Sequence, residues 1–267
     1  MKKTLIAAIA LLALLLLLTA CGKNSAYDEY IQAYKMLQQA ESFAASSRDY
    51  SHTFVSATGE ETTGEGLTNS QVVKTETGYD GIFYISVSGE ANGDSDSYSG
   101  EAYIRDGRSY SAVHEDYMAE GEFSRVSQAC DPDFAFKMAT EGLLDLPKEI
   151  IVKQRVYGTN VAKLRRLEFT LDPKKFYAWK FGEPDANTLY VTFREPPTYA
   201  VTFDEEGRIQ HVRLNWCMVS TEANPSRWER DVEVYFLSWD DIELQFPELN
   251  EEDYPDMSDP AGQGNDC

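Results

Sequence analysis

Residues able to do covalent, acid–base or metal chemistry are few, and they are scattered. Four cysteines stand at 21, 130, 217 and 267, and the three histidines, His52, His114 and His211, lie far apart. No CxxC or Cys/His ligand spacing occurs, so the sequence supports no zinc site. HExxH, GxSxG and SxxK are absent, which removes the usual metalloprotease, serine hydrolase and penicillin-binding signatures. In "HED", His114 to Asp116, neighbouring strand residues point to opposite faces and cannot converge as an acid–base pair. "NGDSDSYSGE" offers Asp94, Asp96 and Glu101 as hard oxygens, but the spacing departs from an EF-hand loop, and a solvated hairpin tip accounts for it equally. The glycines of "TGEETTGEG" lack the lysine of a phosphate loop. No catalytic residue, metal or cofactor is expected.

Cys21 is different, because of what precedes it. Lys2 and Lys3 open the chain, and Leu5 to Leu18 follow without a polar side chain. That run is short for a membrane span, which takes about 20 apolar residues, and suits the apolar core of an export signal. Leu18-Thr19-Ala20-Cys21 resembles the lipobox of bacterial lipoproteins. The resemblance implies a diacylglyceryl-modified Cys21 at the new N-terminus after removal of residues 1–20, and an extracytoplasmic, membrane-tethered body. An ordinary signal peptide cut after Ala20 is the alternative. Acylation removes Cys21 from disulfide chemistry, and Cys267 ends a polar tail. Cys130 with Cys217 is then the bridge to test in an oxidising compartment.

Loss of two leader lysines takes the formal charge from −21 to −23. So acidic a body disfavours nucleic acid and disfavours lying flat on an anionic bilayer. An amphipathic helix is expected first, with Tyr30, Ile31, Tyr34 and Leu37 near one face and Ala40 and Phe43 following. From Tyr50 the period becomes two. Leu189, Val191 and Phe193, then Tyr199, Val201 and Phe203, then Val212, Leu214 and Trp216 alternate with mostly polar residues. About ten or eleven antiparallel strands are expected, each with one dry face. "DPDFAFKMATEGLLDLP" reads as a helix with Asp131 as cap and Pro132 at its first position, and "DPKKFYAWKFG" as a shorter one ended by Gly182. The acidic residues 255–267 are expected to be disordered.

Together with the lipobox and the tether of residues 21–26, this order of elements resembles the LolA-like lipoprotein superfamily, including lipoproteins of Gram-positive bacteria. Hairpin pieces such as "GEAYIRDGRSYSAV" and "YAVTFDEEGRIQHVRL" belong to the same layout. The resemblance implies that residues 27–254 form a mainly antiparallel α+β domain: one curved sheet or unclosed half-barrel of 10–11 strands, with helices on its concave face around an apolar cavity. Leu189, Val191, Phe193, Tyr199, Val201, Phe203, Leu214 and Trp216 are the expected cavity wall. The function expected is non-enzymatic binding or transfer of a lipid or other apolar ligand. The alternative is a module with a filled core that binds an envelope protein. Sequence does not separate a filled dry face from a hollow one.

Overall fold

The computed structural model describes residues 25–119, 121–158, 164–182, 191–221 and 225–257. Cys21, Leu189 and Cys267 lie outside them.

Helix α1 (Ala26–Gln39) starts where its cap chemistry dictates. The Asp28 amide donates to the Ser25 hydroxyl at 3.1 Å, and the Ser25 amide donates to the Asp28 carboxylate at 3.0 Å. This reciprocal box satisfies two amides that the first turn leaves unpaired. Tyr30, Ala33 and Leu37 form the buried stripe.

The helix ends earlier than its apolar period suggests. Ala40 turns to extended backbone (ψ 138°), and strand β1 (Ser42–Val55) begins at once, so Phe43 is a strand residue. The reason is non-local. The Glu41 amide donates to the Asp240 side chain, and the Lys74 amide donates to the Glu41 carbonyl. Pairing on both sides of β1 overrides the helical pattern.

Eleven more strands follow among the described residues. They are β2 (Glu60–Lys74), β3 (Tyr79–Ala91), β4 (Asp94–Arg105), β5 (Arg108–Glu115), β6 (Ser124–Ala129), β7 (Ile151–Gly158), β8 (Arg165–Leu171), β9 (Val191–Phe193), β10 (Thr198–Phe203), β11 (Ile209–Ser220) and β12 (Arg227–Trp239). One antiparallel sheet runs β6-β5-β4-β3-β2-β1-β12-β11-β10-β8-β7, and β9 pairs separately with β11. Among the described residues its end strands do not pair with each other, so this is an unclosed half-barrel. Two-residue turns fix the hairpin registers on either side of β4. Asn92-Gly93 (φ 54° and 91°) and Asp106-Gly107 (φ 52° and 76°) take the left-handed backbone that such turns need.

The concave face is filled. Tyr30 of α1 packs on Phe169 of β8 and Tyr199 of β10. Helix α2 is only Phe134–Ala139, shorter than "DPDFAFKMATEGLLDLP" suggested, and begins after Asp133 rather than Asp131. Backbone at Glu141 and Gly142 has positive φ (52° and 58°), which stops it. Phe136 meets Phe43 and Tyr79. Helix α3 (Pro173–Phe181) has the expected cap, the Asp172 carboxylate accepting from the Lys174 and Lys175 amides, and ends at Gly182. Its Phe176 packs on Phe193 and Trp216.

The convex face has its own apolar cluster, Ile82, Tyr103 and Tyr110, covered by Leu244, Phe246, Leu249 and Tyr254. The chain after β12 therefore straps the outside of β3–β5. It extends past Tyr254 to Met257, into the first residues of the tail expected to be disordered; residues 258–267 of that tail lie outside the described residues. The Ser127 amide donates to the Pro255 carbonyl, the Met257 amide donates to the Ser127 carbonyl, and Arg108 pairs with Asp256. The edge amide and carbonyl of β6 supply partners that acidic composition alone does not reveal. Among the described residues no helix is long and apolar enough to cross a membrane.

Candidate functional site

Seven of the eight expected cavity-wall residues are described, and they pack into the interior. Tyr199, Val201, Phe203, Leu214 and Trp216 are buried core, while Val191 and Phe193 are half-buried and Phe193 packs against that core. The Tyr199 and Tyr30 hydroxyls lie 3.1 Å apart, and Tyr30 donates to the Leu144 carbonyl. Three helices thus occupy the space in which a ligand was expected.

Open space lies elsewhere, on the concave side beyond the core. Strands β2 to β4 are 15, 13 and 12 residues long and outrun the helices that cover their other ends. Pairing of Val87 with Tyr98, and of Tyr98 with Glu115, places these side chains on the same face as Phe83 and Ala102 of the core. With Gly64, Gly89, Ala91 and Tyr117 they line an open groove of about 680 Å³. Small residues set its floor. A Cβ at Gly64 would come within 2.9 Å of the Ser51 hydroxyl, and one at Gly89 within 3.3 Å of the Thr63 carbonyl.

The rim is acidic. Glu90, Asp94, Asp96, Glu115 and Asp116 line the groove, and its lining residues include no lysine or arginine. Asp116 is fixed by the Ser97 amide (2.9 Å) and hydroxyl (2.8 Å), which closes the mouth of β4 and β5. Tyr117 is 78% exposed, and a hydrogen bond with Glu115 raises its hydroxyl above the usual range. The stretch weighed as a calcium loop contributes here, but not as a cation cage. Asp94 and Asp96 face the groove, whereas Glu101 points to the convex side, where Tyr103 bonds to it. No group of three or more possible metal ligands gathers among the described residues. His114 and Glu115 do point to opposite faces, and His114 meets the Glu122 carbonyl at 2.8 Å.

Between groove and core runs a band of charge that periodicity did not expose. Arg230 forks onto Asp49, with Nε at 2.8 Å, and lies 5.7 Å over the Trp216 ring. The Ser47 hydroxyl donates to Glu141 at 2.7 Å. Burial, with the nearby charge of Asp49, pushes the Glu141 carboxyl above its usual range against that hydrogen bond. Burial and Arg230 push the Lys180 ammonium below its own. Two acids and two bases neutralise one another at the boundary of the dry interior. The signal in sequence was a set of charged residues at inward strand positions, Asp49 and Arg230, where the alternation called for apolar ones.

The expected Cys130–Cys217 bridge is not formed; both are free. Cys130 follows β6 and packs against the core, whereas Cys217 shares the convex face of β11 with Arg213 and Asn215. Opposite faces, on strands seven places apart in the sheet, do not meet the Cα separation of about 4.4–6.8 Å that a disulfide needs.

No protein-family model matches the chain, and no curated protein does. Among solved structures, the chain is similar to a β-barrel-like protein of the domain of unknown function DUF1849 from Brucella abortus, at 10% identity and a TM-score of 0.24, covering 73% of this chain and 99% of that one. It is also similar to a DUF1329 family protein from Desulfovibrio piger, at 13% identity and a TM-score of 0.23, covering 81% and 93% of the two chains.

Proposed function

We propose that this protein is a lipid-anchored, extracytoplasmic binding module without catalytic activity, and that its ligand is a segment of an envelope protein seated in the open groove of β2–β5. The lipobox-like Leu18-Thr19-Ala20-Cys21 supports the anchor. The observation that carries the choice of ligand is the acidic rim around a floor of Gly64, Gly89, Val87 and Tyr98. Such a site repels a fatty-acid carboxylate or a phospholipid phosphate, and attracts lysine and arginine side chains whose stems pack on tyrosine. The filled interior points the same way, because α1, α2 and α3 occupy the part of the concave face where an acyl chain was expected.

The test places a photo-crosslinking residue at Tyr117 in the anchored protein in its native envelope. The expected adduct is one protein, joined through a Lys- or Arg-rich segment, and lost in D94N/D96N. A saturable fluorescent fatty acid bound at Tyr98, or an adduct indifferent to D94N/D96N, would overturn the reading. Intact mass of the same preparation tests the anchor separately, since a diacylglyceryl group on Cys21 is expected there.

A further inference from the structure

The groove accounts for one end of the molecule; the opposite end differs in charge. Between residues 148 and 175 the described residues hold seven lysines and arginines against Glu149, Glu168 and Asp172, in a chain whose formal charge is −21. The excess gathers at the β7 edge of the sheet. Lys153 and Arg155 lie on β7, and Arg165 and Arg166 on its partner β8. Glu168 lies within 3.8 Å of Arg155 and 3.5 Å of Arg166, so one carboxylate is shared by two guanidinium groups. Apolar residues are interleaved: Val152, Val156 and Tyr157 are 60%, 51% and 41% exposed. Among the described residues β7 pairs with β8 alone.

The same edge lies beside the start of α1. Arg165 is 2.5 Å from Glu29, and the Lys148 ammonium lies 5.5 Å from the Tyr27 ring. Three residues separate Cys21 from Ser25, and the four residue steps between them span at most about 14 Å. A lipid on Cys21 would therefore hold the bilayer within that distance of the start of α1, which touches this basic, partly apolar edge through Glu29 and Tyr27. Anionic headgroups attract such an edge and repel the acidic tips of β2–β5.

We propose that the β7 edge, with Lys148, Lys153, Arg155 and Arg165 around exposed Val152 and Val156, docks on the anionic headgroups of the membrane that carries the anchor. This rests on the proposed acylation of Cys21. It sets an orientation: β7 down, the groove pointing away from the bilayer towards a partner. Net charge had argued against a body lying flat; segregated charge lets it stand on one edge.

The test uses the full lipoprotein purified from membranes and reconstituted into vesicles of phosphatidylcholine, with or without about a third phosphatidylglycerol, read by backbone hydrogen exchange. Exchange in β7 is expected to slow about fivefold or more in the anionic vesicles. It should return to the neutral-vesicle rate in K153E/R155E and in high salt, while β1 and β12 stay unchanged as the control for folding. Equal β7 exchange in both vesicles, with Cys21 acylated by intact mass, would overturn the docking and leave the anchor standing. An unmodified Cys21 would overturn both.

Discussion

Tyr30 holds together parts of the chain that no local rule connects. Its hydroxyl donates to the Leu144 carbonyl and meets the Tyr199 hydroxyl, joining α1, the loop after α2, and β10. Tyr30→Phe leaves both partners buried and short of one bond, so urea titration should show a loss of about 1–2 kcal/mol, and Tyr199→Phe a smaller one. Glu141 makes a prediction about pH. Its carboxyl is pushed up by burial, so the folded chain keeps a proton that the unfolded chain has released. Stability then falls as pH rises from the ordinary carboxylate value through the folded one, and is lowest, for this group, when Glu141 is ionised. Glu141→Gln keeps an oxygen for Ser47 and removes the charge. Its melting temperature should exceed that of the native protein at pH 7, and the gap should close in acid; parallel curves would refute this.

At the level of elements, the strap over β3–β5 is the piece most open to test. Tyr254 stacks edge-on against Tyr110 at 5.6 Å, and the next residues bond to Ser127 of β6. Tyr254→Ala should cost about 1–2 kcal/mol and speed hydrogen exchange in β5 and β6, with α1 and β10 unaffected. The strap also marks what sequence could convey. Asp106-Gly107, the Asp172-Pro173 start of α3 and its Gly182 stop were legible, because each depends on backbone preferences within a few residues. The end of α1 was not, since the chain leaves the helix at Ala40 and the next residue, Glu41, pairs with Lys74 and Asp240. Nor was the ordered path through Tyr254 to Met257, whose partners lie more than a hundred residues upstream. For the site, alternation identified the dry faces of β10 and β11 but not that α1 and α3 fill the space above them. The groove was hidden for the converse reason: strands β2 to β4 are longer than the helices that could cover them, and strand length relative to cover is a property of the assembled sheet.

Across the whole molecule, the two described cysteines are free and on opposite faces. A bridge would contribute about 2–4 kcal/mol, so its absence predicts a melting temperature that reductant moves by less than about 1 °C; a drop of several degrees would show a bridge. The pairing of β1 has a further consequence, for the time course of folding. One neighbour of β1 is β2, reached by a short turn, and the other is β12, nearly two hundred residues later. The middle of the sheet is closed only when the last strand arrives. A chain threaded across a membrane from its N-terminus meets β12 last, so until then β1 offers one unpaired edge and the sheet cannot lock. Folding is therefore slow by topology, and under the proposed export the chain would stay loose enough to be translocated until the crossing was almost over. Removing residues from 227 onward should yield a chain that never becomes protease-resistant, and under the proposed export it should still cross the membrane.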